Sequence, residues 1–201
     1  LGPAGFGLPA EREAAWLILT EIRLPRALLA ALIGGGMGIA GAALQGYLRN
    51  PLAESGLIGV TGGASLGAVI AIHTGAAQAF GLALPLGGLA GAVLATVAVV
   101  VIAGARSGPI GLILAGVAVS SIAGALTTLA LNLAPNPFAS VEIVFWLLGS
   151  LTDRSLVHVW LAAPMIVAGI ALLAAFGPSL DALSLGEDAA RNLGVDVAGV
   201  R

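Results

Sequence analysis

The sequence contains no cysteine and no lysine. Without cysteine there is no disulfide framework, no thiolate nucleophile and no thiol-based metal site. Without lysine, the Gly-Lys-Ser/Thr ending of a phosphate-binding P-loop is impossible. If ATP drives anything here, another subunit hydrolyses it. Charge is scarce as well: 9% of the 201 residues are charged, against about 25% in ordinary soluble domains. That is too little for a soluble globule and far too little for a disordered chain. All eight basic residues are arginine and the formal net charge is −2, so there is no basic footprint for nucleic acid. The two histidines, His73 and His158, are isolated and do not make a metal site. The chain begins at Leu1 rather than Met, which is not the start expected of a natural chain, and no basic leader with a cleavage site is visible.

What is abundant is apolar: 59% of residues are hydrophobic and 30 are glycine. A membrane helix needs about 20 apolar residues to cross roughly 30 Å of hydrocarbon. The gaps between charges hold such stretches at residues 27–48, twice between Glu54 and Arg106, at 110–132 and at 157–176. The double gap is expected to break around residues 75–85, where polar residues and Pro85 cluster. Ala134-Pro135-Asn136-Pro137 and Gly177-Pro178 end the later two. The fold class expected is therefore all-α, a polytopic transmembrane bundle of about five helices over residues 27–180. Residues 1–26 are expected to form an outer segment with a short interfacial helix around Trp16. Residues 181–201 are expected to form an amphipathic segment, with Leu185, Ala189 and Leu193 on one face. Four arginines fall on each side, so charge does not orient the bundle.

Small residues recur every fourth position: Gly34/Gly38, Gly59/Gly63/Gly67, Gly87/Gly91 and Gly116/Ser120/Gly124. In lipid such faces let helix backbones approach closely. Gly63-Ala64-Ser65-Leu66-Gly67 also spells the G-x-S-x-G of a serine hydrolase, but that motif requires a strand–turn–helix setting with acid and histidine partners. No catalytic residue and no metal ligand is assigned.

The stretch Arg23-Leu24-Pro25-Arg26, the run Gln45-Gly46-Tyr47-Leu48-Arg49-Asn50-Pro51-Leu52-Ala53, and the glycine-rich run from Gly56 to Gly67 form one pattern. Leu114-Ala115-Gly116-Val117-Ala118, Phe145-Trp146-Leu147-Leu148-Gly149-Ser150 and the segment from Leu185 to Gly194 extend it. Together they resemble the FecCD-type permeases, a family that includes the vitamin B12 and haem permeases and supplies the membrane subunits of type II ABC importers. One departure is Ser55, where many relatives have proline.

The resemblance implies about ten membrane helices in a complete permease, of which this chain would hold the second to the sixth. It implies ATP-driven import of an iron chelate (siderophore or haem) or cobalamin by alternating access in the bacterial inner membrane. Implied partners are a second copy of the permease, two ATPase subunits that use ATP and Mg, a periplasmic substrate-binding protein and the lipid bilayer. The chain itself would bind no cofactor and would not be an enzyme. Residues 1–26 and 136–154 would face the periplasm, and Arg49, Arg106 and residues 181–201 the cytoplasm. Arg23 and Arg26 would dock the binding protein through carboxylates. Gly186, Glu187, Asp188, Arg191, Leu193 and Gly194 would couple to the ATPase. Gly116, Ser120, Ser121, Thr127 and Thr128 would be candidates for lining the translocation pathway. The rival classes are a secondary transporter or channel subunit, for which no intramembrane charges are evident, and an intramembrane serine hydrolase built on Ser65.

Overall fold

The computed structural model describes residues 9–104 and 108–200. Residues 1–8, Arg106 and Arg201 lie outside the described residues. Every regular element among the described residues is helical. Contacts divide the chain into two compact units, residues 1–46 with 150–201, and residues 47–149.

In the first unit, α1 (Pro9–Leu17) runs through a π-helical turn (Ile18–Arg23) into α2 (Leu24–Leu48). The cause of the wide turn is local. Pro25 has no N–H to give, and its ring crowds the carbonyl four residues back, at Glu21. The helix responds by opening one turn, in which Leu24 N–H reaches Leu19 O, five residues back. Arg12–Leu48 is thus one continuous helix of 37 residues. At 1.5 Å per residue it is about 55 Å long, well beyond the roughly 30 Å of hydrocarbon. The separate interfacial helix expected around Trp16 is instead a helical extension of the first span.

The unit continues with α8 (Leu156–Ala175), α9 (Gly177–Ser184), α10 (Glu187–Asn192) and α11 (Val197–Val200). A reciprocal cap opens α8: Ser155 N–H donates to His158 Nδ1 at 3.2 Å. His158 therefore serves the helix start. Pro178 falls in the first turn of α9, where its missing N–H is harmless.

The second unit holds a 3₁₀ turn (Ser55–Ile58), α3 (Val60–His73), α4 (Ala76–Ala79), α5 (Ala83–Ala103), α6 (Pro109–Asn132) and α7 (Pro137–Leu148). The helix containing α2, with α5, α6 and α8, is long and apolar enough to cross a membrane. The fifth expected span is α3, shorter at 14 residues and led in by the 3₁₀ turn. The break expected near residues 75–85 is filled by α4 and its flanking turns. The 12-residue helix α7, which the sequence reading left inside an outer stretch, is an addition. Its first turn is capped by Asn136, whose Oδ1 accepts from Ala139 N–H at 2.9 Å.

The second unit is organised by one crossing. Gly63 and Gly67 of α3 lie against Gly87 and Gly91 of α5, backbone on backbone. A Cβ built on Gly63 would sit 2.6 Å from Gly91 O, and one on Gly87 would sit 2.7 Å from Gly67 O. Cβ atoms on Gly67 and Gly91 would collide with the carbonyls of Gly87 and Gly63 in turn. Lipid is as apolar as leucine, so close backbone packing of this kind is what holds such helices together. Two apolar clusters flank the crossing. Ala95, Val99, Ala115 and Val119 pack at the end where Ile58 enters. Val69, Ile72 and Ile143 pack at the other end, beneath Trp146. Outward side chains are large and apolar: Leu94 is 68% exposed, Val101 73% and Ile110 74%, as expected where the surrounding medium is hydrocarbon.

Two outcomes follow from this packing. Gly87→Ala places a methyl against Gly67 O and should lower stability by about 1–3 kcal/mol. Gly88→Ala, whose added Cβ meets Ala64 O at an ordinary 3.7 Å, should change it by less than about 0.5 kcal/mol. Unfolding of both variants in the same detergent makes the comparison. Asn136→Ala should cost about 1 kcal/mol through loss of the α7 cap, read by hydrogen exchange at Ala139.

Candidate functional site

The chain offers four surfaces with chemistry. The first is the segment after the last long helix. The single amphipathic helix expected over residues 181–201 is resolved into α9, α10 and α11, broken by Gly186 (φ 110°) and Gly194 (φ 82°). Both glycines occupy backbone that a side chain would strain. The end of α10 closes as a Schellman motif, with Gly194 N–H on Arg191 O and Val195 N–H on Ala190 O, each at 3.0 Å. The buried face consists of Ala182, Leu183, Ala190 and Val197. Leu185 and Leu193, expected on that face, are instead 71% and 65% exposed and bracket α10. Glu187 and Asp188 both pair with Arg191 at 3.3 Å. These exposed pairs contribute at most about 1 kcal/mol, so they orient Arg191 more than they hold the fold. The two exposed leucines therefore supply the apolar contact this segment presents.

The second surface is the arginine pair. Arg23 ends the π turn and is exposed. Arg26, in the first turn of α2, is half-buried, and its Nε is buried with no hydrogen-bond partner among the described residues. A guanidinium held this way keeps donors for an incoming carboxylate.

The third is α6, whose two faces separate the five pathway candidates. Gly116 is buried against the backbone of Leu57, on which an added Cβ would collide. It serves the close approach of the 3₁₀ turn rather than an open lining. Next to it, Gly59 turns the chain into α3 with φ 76° and lies where a Cβ would be 3.0 Å from Gly116 O. Ser120 and Thr127 are half-buried. Ser121 and Thr128 are exposed, in a stripe with Ala118, Gly124, Ala125 and Asn132. Their hydroxyls donate to their own helix, Ser121 to Val117 O at 2.8 Å and Thr128 to Gly124 O at 3.0 Å. Asn132 likewise donates to Thr128 O at 2.8 Å. The stripe thus presents small side chains whose donors are largely spent.

The fourth surface was missed by sequence reasoning. At the end of the second unit where α3 finishes, His73, Gln78, Asn136 and Glu142 line a recess of about 520 Å³. His73 Nδ1 lies 3.1 Å from Ala130 O. A carbonyl only accepts, so Nδ1 carries a proton here, and on a neutral ring Nε2 is then the acceptor. Gln78 Nε2 donates to Glu142 Oε2 at 3.3 Å. No short motif gathers these residues, since Gln78 and Glu142 lie 64 positions apart in sequence. Ser65, by contrast, lies within α3, and its two motif glycines are used by the helix crossing. That is not the strand–turn–helix of a nucleophile elbow. No cluster of three or more metal-ligating side chains occurs among the described residues.

The chain is 37% identical over 196 residues to the cobalamin import system permease protein BtuC of Halobacterium salinarum, covering 97% of this chain and 52% of that protein. It is 41% identical over 186 residues to the uncharacterized ABC transporter permease protein YvrB of Bacillus subtilis, covering 90% and 52%. The chain thus spans about half the length of the curated relatives it matches. Its fold is similar to that of a metal-chelate type ABC transporter solved in an inward-facing conformation, with a TM-score of 0.86 and 28% identity over 100% of this chain and 63% of that one. The model of the FecCD transport family matches residues 6–201, and the chain belongs to that family.

Proposed function

We propose that the chain is part of the membrane permease subunit of an ATP-driven importer, acting in the inner (plasma) membrane and moving cobalamin inward by alternating access. The observation that carries this reading is the family match over residues 6–201, which takes in the membrane helices and the segment after them alike. A metal chelate, a siderophore or haem complex, is the second reading for the solute; the likeness to a metal-chelate transporter favours it. In either case the permease does no chemistry on the solute, and two partner ATPases supply energy from ATP and Mg.

The surfaces take on roles in this scheme. The segment 177–200 carries ATPase motion to the bundle. Gly186 and Gly194 set α10 at a fixed angle, and Leu185 and Leu193 present an apolar grip that water would otherwise surround. Arg23 and Arg26 meet carboxylates of a periplasmic binding protein. The α6 stripe at Ser121 and Thr128 faces a second permease copy across the solute route. Side chains with spent donors suit that place, because a route that held a large polar solute tightly would not release it.

Leu185→Asp combined with Leu193→Asp should reduce co-purification of the ATPase with the full-length permease about tenfold or more, as loss of a central apolar contact does. Arg191→Ala should change it little, since its pairs are exposed. Recovery of undiminished ATPase with the double variant would refute the coupling role. Reversal of Arg23 and Arg26 to Glu should weaken binding-protein docking, and more so at low salt. Unchanged docking in a surface-binding assay would remove these two residues from the interface.

A further inference from the structure

The recess formed by His73, Gln78, Asn136 and Glu142 has a definite polarity once its internal hydrogen bonds are assigned. Three donors are used inside the protein. His73 Nδ1–H goes to Ala130 O, Gln78 Nε2–H to Glu142, and the Thr74 hydroxyl to Ile70 O at 2.8 Å. One acceptor, Asn136 Oδ1, is used by Ala139 N–H. Left over are Gln78 Oε1, the second oxygen of Glu142 and, on a neutral ring, His73 Nε2 as acceptors, with the second N–H of Gln78 and the two of Asn136 as donors. Glu142 forms no ion pair with any cation among the described residues. The arginine described in its unit, Arg49, lies before α3, while the recess lies beyond the far end of that helix, about 20 Å away at 1.5 Å per residue. The recess thus holds one carboxylate that forms no ion pair among the described residues, beside amide groups that both donate and accept. Its complement is a monocation with several N–H donors, such as a guanidinium or a primary ammonium group.

We propose that this recess is a docking socket for a lysine or arginine side chain of the periplasmic substrate-binding protein. The inference rests on the importer reading, which places the end of α3 on the outer side. It adds a contact of opposite sign to Arg23 and Arg26. The permease then offers cations at one place and an anion at another. Charge complementarity of mixed sign fixes the orientation of a partner, where a single sign only attracts it. Gln78 and His73 are positioning residues: the first holds the Glu142 carboxylate, and the second lines the recess with its ring fixed by Nδ1–H on Ala130 O.

The test uses the full-length permease with its ATPase in nanodiscs and the cognate binding protein on a sensor surface. Glu142→Gln should weaken docking about fivefold, and Glu142→Arg more, with both differences shrinking as salt is raised. Reversal of one basic residue on the binding protein to Glu should restore docking to the Glu142→Arg permease. Arg26→Glu serves as the reference. If Arg26→Glu weakens docking and the Glu142 variants leave it unchanged, the socket is overturned and the importer reading stands. If neither variant changes docking, the docking reading itself falls. If the Glu142 variants lower the melting temperature while the folded fraction docks normally, Glu142 serves a contact within the permease and the socket is overturned.

Discussion

The second unit depends on the approach of two backbones at Gly63, Gly67, Gly87 and Gly91. Each glycine occupies a position where a Cβ would enter the carbonyl of the glycine opposite or its neighbour. The approach fixes α3 against α5, and with them the apolar clusters at both ends of the crossing. It also carries α6, because Gly59 and Gly116 repeat the same close contact between the turn before α3 and the α6 backbone. A hydrophobic core could not do this job in lipid, where large side chains have no reason to turn inward. Many of the large apolar side chains are accordingly outside, and the crossing itself is built from glycine and alanine, with buried valine and isoleucine packed at its ends.

That inversion explains how function is distributed. With the helix crossing taken by small residues and its flanks by apolar clusters, polar chemistry is left to the ends of helices. The arginine pair lies where α2 begins, the recess at His73 and Glu142 lies where α3 ends and α7 starts, and the glycine-bracketed α10 follows α8. On the α6 stripe the hydroxyl donors are turned back onto the helix. The few charges of this sequence thus sit where a partner can reach them.

Much of this was legible in the sequence. Charge gaps located α2, α5, α6 and α8, because a buried charge in lipid is costly and its absence over twenty residues is informative. The four-residue spacing of small side chains located the crossing, though not its pairing. Gly34 and Gly38 share that spacing yet have nothing within 4 Å of an added Cβ. Spacing reports that a helix can be approached, not what approaches it. The π turn before α2 was not legible, since proline more often ends a helix than widens it. The face of the 181–201 segment was misjudged for a related reason. Gly186 and Gly194 break the helical register, so Leu185 and Leu193 no longer share the buried side with Ala190. The recess was invisible because its residues converge only through tertiary packing.

The account turns on one claim: that this chain belongs to a machine that takes its energy from a partner's ATP. Uptake of labelled cobalamin into proteoliposomes holding the full-length permease and its ATPase, with the binding protein outside, tests it directly. The account predicts accumulation only when ATP is sealed inside the liposome that displays the ATPase. Uptake without ATP that follows a proton or sodium gradient would contradict it.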